Sequence, residues 1–442
     1  MTHLRLFIVA SLVALLSTLA RATDQQDLPK QLTLSQAITI ALANNAILRE
    51  AQSRLDEASG RHEQSRSPLL PQLQVDAHQS YQTINLIGLG IDIPTVPQGK
   101  TNPFASMDAR LLLKQDLLNI ANWKAWKSSG SQQESFRVLV DNARELVVLD
   151  VVATYLQALR AKASRDALTV QKTLANDLYS LTEDRVKQGV SAPLESNRAL
   201  QQVNSLQQQQ QEAEQSYIAA KLSLANSLQQ RITSDFEVED TAAYGTDIPM
   251  TRDAALQAAL VSRPDYRSLE ANVKSAELQV KSVKSYRIPT LTATLSDGQS
   301  GETPVHNVNT YTIRGDLNVP IFTGGRIRGQ IHEAEGTLRE AEASLDKLRS
   351  QVETDVLTAM AAVEWALKEV ETSAANVTLS QQEVELARQR FTQGVTDNTE
   401  VVNAQDRVSR ADDARVRAMY TLGLARANLA RATGAAEKTY RK

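Results

Sequence analysis

An internal repeat constrains this chain of 442 residues more than any other feature. Residues 32–77 align without a gap with residues 250–295 at a constant shift of 218 positions. A second stretch aligns at a shift of 205, and its identities include the tripeptides Gln188-Gly189-Val190 and Gln393-Gly394-Val395. Self-similarity over such lengths indicates two copies of one structural unit. We therefore predict these segments: a first repeat over 23–230, a linker over 231–249, a second repeat over 250–434 and a C-terminal tail over 435–442.

The first 22 residues precede both copies and have the features of a secretory signal peptide. His3 and Arg5 are followed by an apolar run from Leu6 to Leu19 and by the small-x-small site Ala20-Arg21-Ala22. The run is too short to span a membrane as a helix. We expect cleavage before Thr23 and export from a bacterial cytoplasm. Since the sequence has no cysteine, we expect no lipid anchor at that site and no disulfide or thiol site.

Long helices dominate the prediction for each copy. The chain has 17 glycines and 12 prolines, about half of an average share, so turns should be few. Each copy opens with a predicted helix, over 34–66 and 252–285. From Ile331 to Phe391 apolar residues recur with coiled-coil spacing, and roughly 60 residues at about 1.5 Å each make a rod of about 90 Å. After each Gln-Gly-Val tip a second helix returns, over 193–230 and 397–433.

Two segments in each copy alternate between apolar and polar residues with the period of a strand. Leu73 and Val75 fall on one face, for example, and Asp76 and His78 on the other. The predicted strands cover about 72–83, 104–118, 290–296 and 309–322.

Four such strands cannot close a barrel, and an open sheet edge is not tolerated in lipid, so membrane insertion would require an oligomer. Two chains would give 8 strands with a filled interior, whereas three would give 12 strands and a polar lumen. We expect three. The residues expected to face lipid are Leu111, Leu113, Ile313 and Leu317, and those expected to face the lumen are Asp108, Lys114 and Asp316.

Catalytic and nucleic-acid functions find no support in the sequence. The net charge of −3 argues against a nucleic-acid partner, and a mean hydropathy of −0.32 excludes a polytopic helical membrane protein. The pairs His62-Glu63 and His332-Glu333 begin a zinc-protease motif, but Arg66 and Gly336 stand where the second histidine is needed. We expect no catalytic residue, no metal and no cofactor.

Several short motifs resemble the TolC-like outer-membrane efflux proteins over about residues 32–434. They are Leu34-Ser35-Gln36-Ala37, Ala41-Leu42-Ala43-Asn44-Asn45, Leu70-Pro71-Gln72-Leu73, Phe322-Thr323-Gly324-Gly325-Arg326 and the two Gln-Gly-Val tips. The resemblance implies a mainly α fold with membrane β: a homotrimer with a 12-stranded outer-membrane barrel and a helical tunnel in the periplasm. It also implies a passive exit duct of a tripartite efflux pump or type I secretion system. That duct would dock on a periplasmic adaptor (membrane fusion) protein driven by an inner-membrane transporter.

The same resemblance assigns the adaptor contact to the tips Gly189-Val190-Ser191 and Gly394-Val395-Thr396. Each glycine is also needed simply because the chain reverses there. The periplasmic entrance of the family corresponds to Glu400 and Asn403, of which only Glu400 is acidic. Asp397 with Glu400 equally fits a helix capping box. Phe391 and Thr396 stand where the family archetype has Tyr and Arg that lock the closed tip, so the locking contacts are not carried over.

Two other classes remain open from the residues alone. A periplasmic adaptor would have one helical hairpin and Gly-rich lipoyl-like halves, and a structural coiled coil would lack the strands. Either would stay soluble without detergent. The exported substrate is not indicated, because a wide polar lumen selects weakly.

Overall fold

The computed structural model describes residues 28–90, 99–239, 250–303 and 305–441. The predicted signal peptide and linker residues 240–249 lie outside the described residues. The helices are α1 (Leu34–Asn44), α2 (Ala46–Arg66), α3 (Ile120–Lys187), α4 (Pro193–Ser227), α5 (Arg252–Ser262), α6 (Pro264–Lys284), α7 (Arg326–Thr392), α8 (Asn398–Ala432) and α9 (Ala436–Tyr440). The strands are β1 (Gln31–Leu32), β2 (Gln72–Gln82), β3 (Phe104–Leu118), β4 (Glu237–Val238), β5 (Thr290–Gly301) and β6 (Asn307–Asn318).

Each predicted opening helix is in fact two helices. In the first copy the backbone of Asn45 is extended, with ψ 133°, and its side-chain oxygen accepts a hydrogen bond from the N–H of Ile47 at 2.9 Å. In the second copy Arg263 precedes Pro264, and a residue before proline is disfavoured in the α conformation. Proline is tolerated at the first position of the helix that follows. The prediction of one continuous helix was therefore wrong at the same place in both copies.

The main sheet is antiparallel with the order β2-β3-β5-β6. Its register aligns Leu73, Leu113, Leu295 and Ile313 in one row across all four strands. The last predicted strand ends at Asn318 rather than near 322, because Pro320 has no N–H for a ladder. β5 continues to Gly301, beyond the predicted end at 296, because both of its neighbours pair with it.

The chain folds into two compact units. Among the described residues, the hairpin unit comprises those up to Arg49, those of Ala143–Ser262 and those from Glu353 onward, and the sheet unit comprises those of Glu50–Asn142 and Arg263–Val352. Both sequence repeats contribute to both units. The compact units therefore cut across the repeats rather than coincide with them.

The core of the hairpin unit includes part of the predicted linker. β1 and β4 pair in parallel, with Leu32 opposite Val238, and both side chains are fully buried. The hydroxyl of Tyr155 on α3 donates to the carbonyl oxygens of Leu32 and Glu239, at 2.8 and 2.7 Å. Phe236 is also buried. Residues 236–238 of the predicted linker 231–249 are thus part of this core.

The C-terminal tail is also folded onto the hairpin unit. It forms α9, whose backbone N–H groups at Ala436 and Glu437 donate to the carboxylate of Glu145 at 2.8 and 3.2 Å. Arg144 forms an ion pair with Glu437 at 2.5 Å. The tail therefore belongs to the compact unit.

Coiled-coil spacing on α7 is reflected in its burial. Val352, Val356 and Val363 are fully buried, as the apolar pattern predicts. The buried side of α7 also includes Ser373, a polar residue that is not among the predicted apolar positions. Across the described parts of the chain, the helices lack an apolar segment of the length needed to span a membrane.

Candidate functional site

Both predicted tips are tight turns with the same hydrogen bonds. Gly189 and Gly394 each have a φ of +73°, and a Cβ added to either would meet nothing within 4 Å. The N–H of Val190 donates to the carbonyl of Arg185 at 2.9 Å, and that of Val395 to the carbonyl of Arg390 at 3.0 Å. This is the six-to-one bond of a Schellman motif, which terminates a helix through a left-handed residue. Glycine is needed there because an L side chain disfavours positive φ.

The residue after each glycine presents an apolar side chain to solvent. Val190 is 61% exposed and Val395 is 65% exposed. Ser191 and Thr396, which follow them, are half-buried, and the Ser191 hydroxyl lies 3.3 Å from Nε of Arg185. Each tip therefore exposes one valine beside a polar residue held closer to the helices.

Arg185 connects the two tips. Its guanidinium lies 4.8 Å from the centre of the Phe391 ring and donates to the Phe391 carbonyl at 3.2 Å. Phe391 is buried in a small core with Leu178, Val401 and Ala404. The residue aligned with Arg185 in the second copy behaves differently, because Arg390 forms an ion pair with Glu400 at 3.6 Å.

The predicted entrance residues lie on the first turns of α8. Asp397 caps this helix by accepting from the N–H of Thr399 at 3.1 Å. The carboxylate of Glu400 contacts Arg390 on α7, so the reciprocal bond of a capping box is replaced by an ion pair between helices. Asn403, about one turn further on, is exposed. Of the two residues, only Glu400 has a charged partner among the described residues.

Asn398 is a structural residue of the tips that the sequence reasoning missed. It is fully buried, and its side-chain nitrogen donates to the carbonyl of Glu195 at 2.7 Å. Arg198 and Gln202 on α4 add hydrogen bonds to Thr399 and Asp406 on α8, at 3.0 and 2.9 Å. The only signal in the sequence is that Asn398 aligns with Pro193, so the two copies differ at this position.

The main sheet has one apolar and one polar face, as the alternation predicts. Successive odd-numbered residues share the face of Leu113 and Ile313, which includes Leu111 and Leu317. Asp108, Lys114 and Asp316 lie on the opposite face. Asp108 forms an ion pair with Arg110 on that polar face.

His62, the first residue of an incomplete zinc-protease motif, has a structural role. His62 stacks on Trp126, with ring centres 5.6 Å apart, and its Nδ1 lies 2.9 Å from the Ser129 hydroxyl. Among the described residues, no group of three or more His, Asp or Glu side chains could hold a metal ion.

Comparisons with known proteins agree with this architecture. The family model described as outer membrane efflux protein matches residues 37–229 and 255–435. The pyoverdine export outer membrane protein OpmQ of Pseudomonas putida is 27% identical over 406 residues, which cover 87% of this chain and 82% of the relative. Outer membrane protein TolC of Escherichia coli is 23% identical over 349 residues, which cover 73% of this chain and 66% of TolC.

A solved structure has the same fold. The crystal structure of the Campylobacter jejuni CmeC outer membrane channel superposes with a TM-score of 0.76 at 19% identity, covering 91% of this chain and 86% of CmeC. The resemblance inferred from the short motifs is thereby confirmed. The chain belongs to the outer membrane efflux protein family and is a channel protein of the outer membrane.

Proposed function

We propose that the chain forms a homotrimer that acts as the passive exit duct of a tripartite export system. In this assembly three sheet units close one 12-stranded barrel in the outer membrane, and the hairpin units form a tunnel in the periplasm. The chain catalyses no reaction. The single observation that carries the proposal is the main sheet, which has one apolar face, one polar face and two edge strands.

The edges of the sheet require a partner in lipid. β2 and β6 are its outer strands, and neither has a second neighbour among the described residues. Unpaired backbone groups cost several kcal/mol each in hydrocarbon. A second copy of the chain supplies β2 to pair with β6, and three copies close the ring. The face of Leu113 then contacts lipid, while the ion pair of Asp108 with Arg110 lies in the water-filled lumen.

The tips are the docking surface for a periplasmic adaptor (membrane fusion) protein. Val190 and Val395 are exposed beside turns of the same geometry. A single exposed valine is ordinary, but a trimer has six such turns in one ring. That ring fits six helical hairpin tips of an adaptor, and the inner-membrane transporter is coupled through the adaptor.

The entrance of the tunnel carries Glu400 and Asn403. Three copies of Glu400 form an acidic ring that favours cations. Each carboxylate is 3.6 Å from Arg390, so its charge is partly compensated. The relative OpmQ is named for pyoverdine export, which supports small organic molecules as the cargo here.

The assembly is tested by native mass spectrometry of the mature protein in mild detergent. We expect a trimer, and loss of solubility when the detergent is removed. A species no larger than a dimer would contradict the closed 12-stranded barrel. A monodisperse protein without detergent would instead favour a periplasmic adaptor or a structural coiled coil.

A further inference from the structure

The segments at one end of the strands of the main sheet are rich in basic residues. β2 and β5 begin at this end of the sheet and β3 and β6 finish there, as the pairs Leu118 with Leu291 and Thr290 with Asn318 show. The flanking segments 66–70, 117–130, 280–289 and 319–330 hold eight Lys and Arg and no Asp or Glu. We call these eight residues the basic collar: Arg66, Lys124, Lys127, Lys281, Lys284, Arg287, Arg326 and Arg328.

The surplus of basic residues is confined to these four segments, because Glu63, Asp116, Glu277 and Glu333 lie within three residues of their ends. The four segments are also far apart in the sequence and meet only because the strands pair. The basic collar is therefore a property of the folded sheet unit.

Several collar cations lack an acidic partner in the chain. The side chains of Arg66, Arg287 and Arg328 are exposed and make no ion pair or hydrogen bond with any of the described residues. Lys281 and Lys284 contact Glu277 and Glu335, which lie outside the collar segments, at 3.9 and 2.8 Å. Three guanidinium groups thus remain available to an anion, and guanidinium binds phosphate in a bidentate manner.

Exposed apolar side chains lie in the same segments as the cations. Ile321 is 94% exposed and Phe322 is 89% exposed, and Leu70, Leu117 and Tyr286 are exposed as well. Trp123 is also exposed, and Nζ of Lys127 lies 3.7 Å from the centre of its ring. Tryptophan beside lysine is typical of the boundary between membrane and water, where each side chain has an apolar and a polar end.

We propose that the basic collar binds the headgroup phosphates of anionic phospholipids in the periplasmic leaflet of the outer membrane. The inference rests on the proposed insertion of the sheet in that membrane. Charge complementarity selects an anionic lipid, and continuity with the apolar face of the sheet selects a lipid rather than a free anion. The acyl chains lie against the row of Leu73 and Leu113, and the headgroup contacts Arg66, Arg287 and Arg328.

The test compares two triple variants of the full-length protein. The first is Arg66→Gln with Arg287→Gln and Arg328→Gln. The matched control is Arg339→Gln with Lys347→Gln and Arg349→Gln, which removes the same charge from exposed positions of α7 in the sheet unit. Native mass spectrometry in detergent measures binding of phosphatidylglycerol and of phosphatidylcholine, and the thermal midpoint is followed with each lipid and with inorganic phosphate.

We expect the wild type and the control to prefer phosphatidylglycerol over phosphatidylcholine. Each cation near an anionic surface contributes about fivefold in affinity, so the collar variant should lose about 100-fold at low salt. An unchanged preference in the collar variant would overturn the proposal. Stabilisation by inorganic phosphate equal to that by phosphatidylglycerol would overturn it too, because the site would then bind a free anion.

Failure of the lipid site is distinguishable from failure of the proposed function. The same mass spectra report the number of chains in the wild type. A trimer without lipid preference contradicts only the collar, whereas a species no larger than a dimer contradicts the exit duct.

Discussion

Leu113→Arg tests which face of the sheet contacts lipid. Leu113 lies on β3, an inner strand, and its row neighbours are Leu73 on β2 and Leu295 on β5. An arginine on the lipid-facing side near the bilayer midplane costs about 2–4 kcal/mol. In a trimer the change occurs three times, so assembly is destabilised by about 6–12 kcal/mol, which is more than four orders of magnitude in the equilibrium constant. We expect no detectable trimer.

Two control variants isolate the cause. Lys114→Leu alters the adjacent residue of the same strand, which lies on the polar face, and should change stability by no more than about 0.5 kcal/mol. Leu113→Met keeps an apolar side chain of similar volume and should assemble normally. The assay is the amount of trimer in the outer-membrane fraction on a semi-native gel. Equal loss of trimer from Leu113→Arg and Lys114→Leu would show that the two faces are assigned wrongly.

Three further predictions concern the hairpin unit. Val190→Asp with Val395→Asp should abolish export and crosslinking to the adaptor while the trimer still conducts, and full export in that variant would refute docking at the tips. Glu400→Gln should lower cation selectivity in planar-bilayer recordings and Arg390→Gln should raise it, since the two form an ion pair; unaltered reversal potentials in both would leave Glu400 without a role at the entrance. Burial raises the pKa of Glu145, although two backbone N–H groups of α9 donate hydrogen bonds to its carboxylate. The raised pKa therefore adds to the free energy of unfolding in full below about pH 4.3, and this contribution is lost as the pH rises through the raised pKa. Relative to Glu145→Gln, the thermal midpoint of the wild type should therefore fall over that pH window, and parallel pH profiles would contradict this.

Periodicity along the sequence predicted many of the helices and strands, but it did not predict the strand segments that depend on pairing with distant residues. The alternation in β2 and β3 and the apolar spacing on α7 are visible along the sequence because each element buries or exposes one face. Residues 297–301 of β5 are polar or glycine on both faces, so only their partners on β3 and β6 identify them as strand. β1 and β4 are two residues each and show no periodicity, and they exist because the fold brings Leu32 beside Val238.

In the candidate site, too, some features could be predicted from the sequence and others could not. The sequence by itself determined the tip turns, because glycine adopts the left-handed conformation most readily and stands at both tips, as Gly189 and Gly394. It did not determine the partners of the aligned arginines, since Arg185 contacts Phe391 and Arg390 contacts Glu400. A long, flexible cation interacts with whichever groups the neighbouring helices bring within reach. That choice depends on helix packing, so the tertiary structure alone decided it.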